Sequence, residues 1–99
     1  MGADPIPRER PGFVILDVRT PGEYAAERIV GAVLLDYRSP SFRRELANLA
    51  RDATYLVYCR SGNRSAGAVE VMAQRGFTRI YELAGGILAW KRAGLPVEG

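Results

Sequence analysis

The feature that most constrains this chain is an alternation. Four short strand-like runs, Phe13–Val18, Ala32–Leu35, Tyr55–Tyr58 and Arg79–Tyr81, are each followed by a stretch with helical spacing. Phe13-Val14-Ile15-Leu16-Asp17-Val18 is almost wholly apolar, as a strand buried on both faces requires, and Ala32–Leu35 reads as a second buried strand. Strands that alternate with helices return to the same sheet by crossovers, so they lie parallel with helices on both faces. The expected fold is therefore α/β, with a central, mostly parallel sheet of about 4–5 short strands. In such sheets ligands bind beyond the C-terminal ends of the strands. The loops to inspect follow Val18, Leu35, Tyr58 and Tyr81.

The helix signals fit this frame. Thr20-Pro21-Gly22-Glu23 predicts a cap, a proline at the first helical position and a capping box, with the helix running to about Glu27. Ser39-Pro40 predicts a second start of the same kind, followed by Phe42, Leu46, Leu49 and Ala50 at helical spacing; Arg43, Arg44 and Glu45 form its solvated face. A third helix is expected from Ser65 to Arg75, with most of its surface buried, and a fourth from Ile87 to Arg92. Gly85 and Gly86 are read as the turn before that last helix, and Trp90 as a core residue.

At 99 residues the chain supports one domain. Residues 1–12 hold half of the prolines and no periodic pattern, which predicts an extended arm; residues 13–99 form the domain. No run approaches the ~18 apolar residues of a membrane span. The start lacks a basic stretch followed by an apolar one, so no signal peptide is read and a cytoplasmic location is expected. The net charge of +3 is mild, and the arginines are scattered rather than interleaved with aromatics, so no nucleic-acid partner is expected. A monomer is the default.

Two counts narrow the chemistry. There is no His, which removes Ser-His and Cys-His dyads and any His metal site. There is one Cys, Cys59, which removes an internal disulfide, a CxxC pair and a multi-Cys zinc site. No metal or cofactor is expected. Chemistry has to run on one thiol, carboxylates and arginines.

That thiol stands in the most informative segment, Cys59-Arg60-Ser61-Gly62-Asn63-Arg64-Ser65. The segment follows a strand and opens a helix, so Cys59 faces helix amides that lack intrahelical partners and carry the positive end of the dipole. Gly62 and Asn63 tolerate unusual backbone angles that curl amides inward, and Arg60 and Arg64 add charge at the rim. Each feature stabilises an anion and favours the thiolate. The same residues also admit plainer readings, an inert core Cys or an anion site without chemistry.

These motifs together resemble the rhodanese-like sulfurtransferase family in its single-domain form, over roughly Phe13 to Val97. Leu16-Asp17-Val18-Arg19 with Glu23-Tyr24 resembles the family's first motif, and Ile29-Val30-Gly31-Ala32 its Ile-Pro-Gly-Ala stretch. Tyr58 to Ser65 resembles the active-site loop, and Gly85-Gly86-Ile87-Leu88-Ala89-Trp90 with Gly94-Leu95-Pro96-Val97 the C-terminal signature. The chain departs from the pattern at Arg28, where many members have His, and at Val30, where they often have Pro.

The resemblance implies a rhodanese-like fold and a Cys59 that takes the outer sulfur of thiosulfate as a persulfide. The sulfur would then pass to cyanide, glutathione or a thioredoxin-type thiol. It further implies that the amides of Arg60, Ser61, Gly62, Asn63, Arg64 and Ser65 hold the sulfur anion, and that Arg60 and Arg64 hold the sulfonate oxygens. Asp17 and Arg19 are expected to form a buried pair near the site and Glu23 to serve the capping box; a place at the rim for Tyr58 and Asp36 is the disfavoured reading. With no second Cys, discharge has to be intermolecular, and an exposed thiol would be open to overoxidation.

Three other readings stay open. A sulfur-relay protein would take its sulfur from a partner persulfide instead of thiosulfate. A phosphatase or arsenate reductase usually has five residues between Cys and Arg, whereas four separate Cys59 from Arg64 here. A non-catalytic binding module would usually lack the Cys.

Overall fold

The structure is a computed structural model and describes residues 12–99. The expected arm over residues 1–12 lies outside the described residues apart from Gly12, whose carbonyl accepts the Thr54 amide at 2.9 Å.

Ten elements follow in order: β1 (Phe13–Asp17), α1 (Pro21–Ala26), β2 (Arg28–Ile29), β3 (Val33–Leu34), α2 (Phe42–Leu46), β4 (Thr54–Tyr58), α3 (Asn63–Gln74), β5 (Ile80–Glu82), α4 (Gly86–Arg92) and β6 (Val97–Glu98). The central sheet has four strands in the order β3-β1-β4-β5, all parallel. In register, Val14 faces Tyr55 and Leu16 faces Val57. The alternation of side chains along these strands then builds two cores. On one face Val14, Leu16, Val18, Tyr55, Val57 and Cys59 pack with Phe42 and Leu46 of α2 and Ala68, Val71 and Met72 of α3. On the other, Ile15 and Tyr58 pack with Tyr24 of α1 and with Ile87 and Trp90 of α4. The α/β architecture with helices on both faces is as expected.

The capping box at α1 is present in full. The Glu23 amide donates to Thr20 Oγ1 at 3.3 Å, and Glu23 Oε1 accepts the Thr20 amide at 3.0 Å. Trp90 packs at the edge of the second core and donates its indole N–H to the Pro96 carbonyl at 2.9 Å.

Several local expectations differ. Of the buried strand expected over Ala32–Leu35, only Val33–Leu34 is strand, β3, half-buried at the sheet edge, while the flanking Ala32 and Leu35 are buried. Ser39 and Pro40 do not open α2, because Ser39 Oγ is taken by the Ser41 amide in a preceding turn and the helix begins at Phe42. Helix α3 begins at Asn63, earlier than Ser65, and buries only Ser65, Ala68, Val71 and Met72. Its Ala and Gly residues are compatible with exposure, so its lack of charge did not mean burial. An antiparallel ribbon of β2 and β6 was not anticipated. It is held by Arg28, which stacks 4.6 Å above the Tyr24 ring, donates to the Tyr24 carbonyl at 3.2 Å and pairs with Glu98 at 3.4 Å. The arginine that departs from the family's His thus ties α1 to the chain's last strand. Val30 is 45 % exposed, so its departure from Pro touches no core.

Candidate active site

The parallel topology brings the C-terminal ends of β1, β4 and β5 to one edge of the sheet, and with them Arg19, Cys59 and Glu82. The loop after β4 carries the thiol. Cys59 continues the alternation of Tyr55 and Val57, so its side chain turns under the start of α3. The residue is 1 % exposed, so the exposed, oxidation-prone thiol contemplated from sequence is not what the resting structure holds.

Three groups converge on the sulfur. The Gly62 amide donates to Sγ at 3.1 Å and the Ser65 amide at 3.4 Å, while Ser65 Oγ lies 3.5 Å away. Gly62 makes this possible with φ of +130°, a backbone state closed to ordinary L residues. Asn63 has no such angle and is exposed as the first residue of α3, as Ser61 is in the loop. Burial pushes the Cys59 thiol up, but the Ser65 hydroxyl and the amides of Ser65, Gly62 and Arg64 outweigh it and hold the thiol below its ordinary value. The thiolate is thus stabilised chiefly by a hydroxyl and backbone dipoles aimed at one atom.

The loop is gripped from behind. Its outward carbonyls, those of Cys59 and Arg60, accept the Ile87 amide at 3.0 Å and the Leu88 amide at 3.3 Å. Gly86 lies against them so closely that a Cβ there would sit 2.4 Å from the Arg60 oxygen and 2.5 Å from the Cys59 oxygen. Gly86, read with Gly85 as a turn, is therefore also the backing of the site, whereas Gly85 lies against Ala89 of α4.

The arginines part company. Arg60 is exposed and has no side-chain partner among the described residues. It forms part of a cleft of about 290 Å³ that Arg19, Glu23, Glu27, Ile87 and Lys91 also line. Arg64 instead turns to α1, where its two terminal nitrogens donate to the Glu23 carboxylate at 2.7 and 3.0 Å. That bidentate pair raises the Arg64 guanidinium. The Arg64 side chain, together with the Thr20 cap, holds the Glu23 carboxyl down at about 2 against partial burial. The expected pair of free rim arginines is thus reduced to one, because Glu23 serves Arg64 as well as the cap.

Asp17 and Arg19 form the buried pair expected of them, with Arg19 nitrogens 2.7–3.1 Å from the Asp17 oxygens and a further bond of 2.6 Å to the Glu27 carbonyl. They lie on the sheet face opposite Cys59. Tyr58 does not reach the rim: its hydroxyl donates to Asp17 and accepts the Ile29 amide at 3.1 Å, and burial followed by the Asp17 contact pushes its phenol well up. Asp36 stays in its own turn, accepting the Arg38 amide at 2.9 Å. One residue at the site had no sequence signal. Glu82 Oε2 lies 2.8 Å from Ser65 Oγ, brought there only by the pairing of β5 with β4.

Among the described residues no group of His, Cys, Asp and Glu is arranged to hold a metal, and no helix is long and apolar enough to cross a membrane.

The chain has clear relatives. It is 38 % identical over 84 residues to a sulfurtransferase of Allochromatium vinosum, covering 85 % of this chain and 77 % of the relative. It is 38 % identical over 91 residues to the thiosulfate sulfurtransferase GlpE of Pseudomonas putida, covering 92 % and 80 %. The crystal structure of a rhodanese-related protein from Thermoplasma volcanium superposes with a TM-score of 0.79 at 37 % identity, over 87 % of this chain and 83 % of that one. The sequence pattern of the Rhodanese-like domain matches residues 6–93. With a single Cys cradled by amides at the end of the central strand, and relatives of that kind along nearly its whole length, this chain belongs to the rhodanese-like domain family.

Proposed function

We propose that the protein is a sulfurtransferase that moves sulfane sulfur from thiosulfate to a thiophilic acceptor through a persulfide on Cys59. The observation that carries this reading is the convergence of the Gly62 and Ser65 amides on Sγ. Such fixed dipoles serve a thiolate and its persulfide alike, and need no reorganisation between them.

In the first half-reaction the Cys59 thiolate attacks the outer sulfur of thiosulfate. A sulfur–sulfur bond forms at Sγ, the bond within thiosulfate breaks, and sulfite leaves with the electron pair. Charge is conserved at −3, since thiolate and thiosulfate become persulfide anion and sulfite. In the second half-reaction cyanide takes the outer sulfur, leaves as thiocyanate and returns the Cys59 thiolate. A thiolate acceptor such as glutathione or a thioredoxin-type thiol attacks the protonated persulfide and departs as its own persulfide. Sulfite is a stable leaving group, so a chain without His can run this step. Arg60, exposed and without a side-chain partner among the described residues, holds the sulfonate oxygens. Arg64 braces the loop against α1 through Glu23. A free reactive thiol of this kind belongs in a reducing compartment such as the cytoplasm.

The test is the intact mass of reduced protein after incubation with thiosulfate, beside Cys59→Ser. The expected result is a gain of one sulfur atom that cyanide removes and that the control lacks. Arg60→Ala is expected to lose about 1.5–3 kcal/mol of a charge-assisted contact, roughly 10–150-fold in kcat/KM for thiosulfate. No mass gain with thiosulfate, but a gain from a persulfidated protein donor, would replace this reading with a sulfur relay.

A further inference from the structure

The Ser65 hydroxyl stands among three acceptors with one proton to give. Sγ of Cys59 is 3.5 Å away, the Gly62 carbonyl 3.1 Å and Glu82 Oε2 2.8 Å. A carboxylate at the shortest distance takes that proton in preference to a neutral carbonyl or a thiol. Ser65 then presents a lone pair, not a proton, to Sγ, and accepts from the thiol S–H. In that orientation the serine adds nothing to the thiolate, which rests on the two amides until the hydroxyl turns to it. When Sγ ionises, the hydroxyl has to swing from Glu82 to sulfur, and Glu82 gives up its contact.

We infer that Glu82 is a positioning residue that withholds the Ser65 proton from Sγ and so sets how readily the Cys59 thiolate and persulfide form. The charges around it support this. Arg64 on α3 is committed to Glu23, Arg60 in the loop is exposed without a partner, and no cation pairs with Glu82 among the described residues. Glu82 is exposed and its charge is screened by solvent at a distance, so its hold on Ser65 rests on the direct 2.8 Å contact. The counterweight has a use. The nucleophilicity of a thiolate falls as its proton affinity falls, so a sulfur gripped only by donors would be ionised yet sluggish. Glu82 offsets the loop amides and keeps the sulfur basic enough to attack. The inference builds on the reading of Cys59 as the sulfur carrier, but its test does not use sulfur transfer.

The test is a pH titration of the thiolate by its ultraviolet absorbance, with Cys59→Ser as the blank that removes tyrosine ionisation. Four proteins are compared: wild type, Glu82→Gln, Ser65→Ala and the double variant. Glu82→Gln is expected to titrate at lower pH, with at least about threefold more thiolate at a pH below the wild-type midpoint. Ser65→Ala is expected to titrate higher. In the Ser65→Ala background the Glu82→Gln effect should shrink to under about a third, since the coupling runs through the hydroxyl. An unchanged or higher midpoint in Glu82→Gln overturns the inference. So does an equal shift with and without Ser65, which would make Glu82 a distant charge rather than a positioning group. Because no donor is present, either failure leaves the persulfide reading standing, and failure of persulfide formation leaves this titration intact.

Discussion

Gly86→Ala attacks the loop without replacing any residue of it. Gly86 has φ of +62°, which costs an L residue about 1–2 kcal/mol. Its new Cβ would stand 2.4 Å from the Arg60 oxygen, 2.5 Å from the Arg60 carbon and 2.5 Å from the Cys59 oxygen. All three are backbone atoms, so no side chain can rotate away, and displacing them costs about 1–3 kcal/mol more. The sum, roughly 2–5 kcal/mol, is a large part of the ~5–15 kcal/mol that holds a domain of this size together. At about 4–8 °C per kcal/mol, the melting temperature is expected to fall by at least about 8 °C in a circular dichroism melt. The displaced carbonyls are those that accept from Ile87 and Leu88, so the thiol titration should move toward the ordinary cysteine range in the same variant. Gly22→Ala is the control. It lies in α1 with nothing within 4 Å of its added Cβ, and is expected to gain about 0.5–1 kcal/mol. A Gly86→Ala protein melting within about 3 °C of wild type would refute the argument, since that corresponds to less than 1 kcal/mol.

Two further predictions concern the buried polar groups. Tyr58→Phe strips the Ile29 amide of its acceptor and Asp17 of a donor, both buried, and is expected to cost about 1–3 kcal/mol in urea unfolding with an unchanged m-value. For Glu23, a folded-state carboxyl near 2 against the ordinary 4.5 means stabilisation that is complete above about pH 4.5 and lost as pH falls toward 2. Wild type should therefore exceed Glu23→Gln by about 1 kcal/mol at pH 7, a modest value for a partly exposed pair, and the two should converge near pH 2; a gap independent of pH would contradict this.

The parts of the molecule that were legible in the sequence are those written in local pattern. The apolar runs of β1 and β4, the Thr20 to Glu23 capping box and the strand–loop–helix around Cys59 each state their structure within a few residues. What escaped depends on distance along the chain. Strands β2 and β6 have two residues each, too few to show a period, and they pair only because the fold closes. Arg64 reads as a rim charge until α1 is seen to present Glu23 across 41 positions of sequence. Glu82 carries no mark of function in its own neighbourhood; its place beside Ser65 is a property of sheet order. Ser39 and Pro40 misled in the other direction, because a good start signal was spent on a turn one step upstream.

The grip of α4 on the Cys59 and Arg60 carbonyls also sets an order of events during synthesis. The thiol leaves the ribosome well before Gly86 and the Ile87 and Leu88 amides that back its loop. At about 5–20 residues per second the intervening stretch takes roughly 1–5 s to make. For that interval the nascent chain carries its only cysteine without the shell that later buries it. The thiol is thus most open to oxidants and to stray thiols before α4 is made, and it is shielded only when that helix docks.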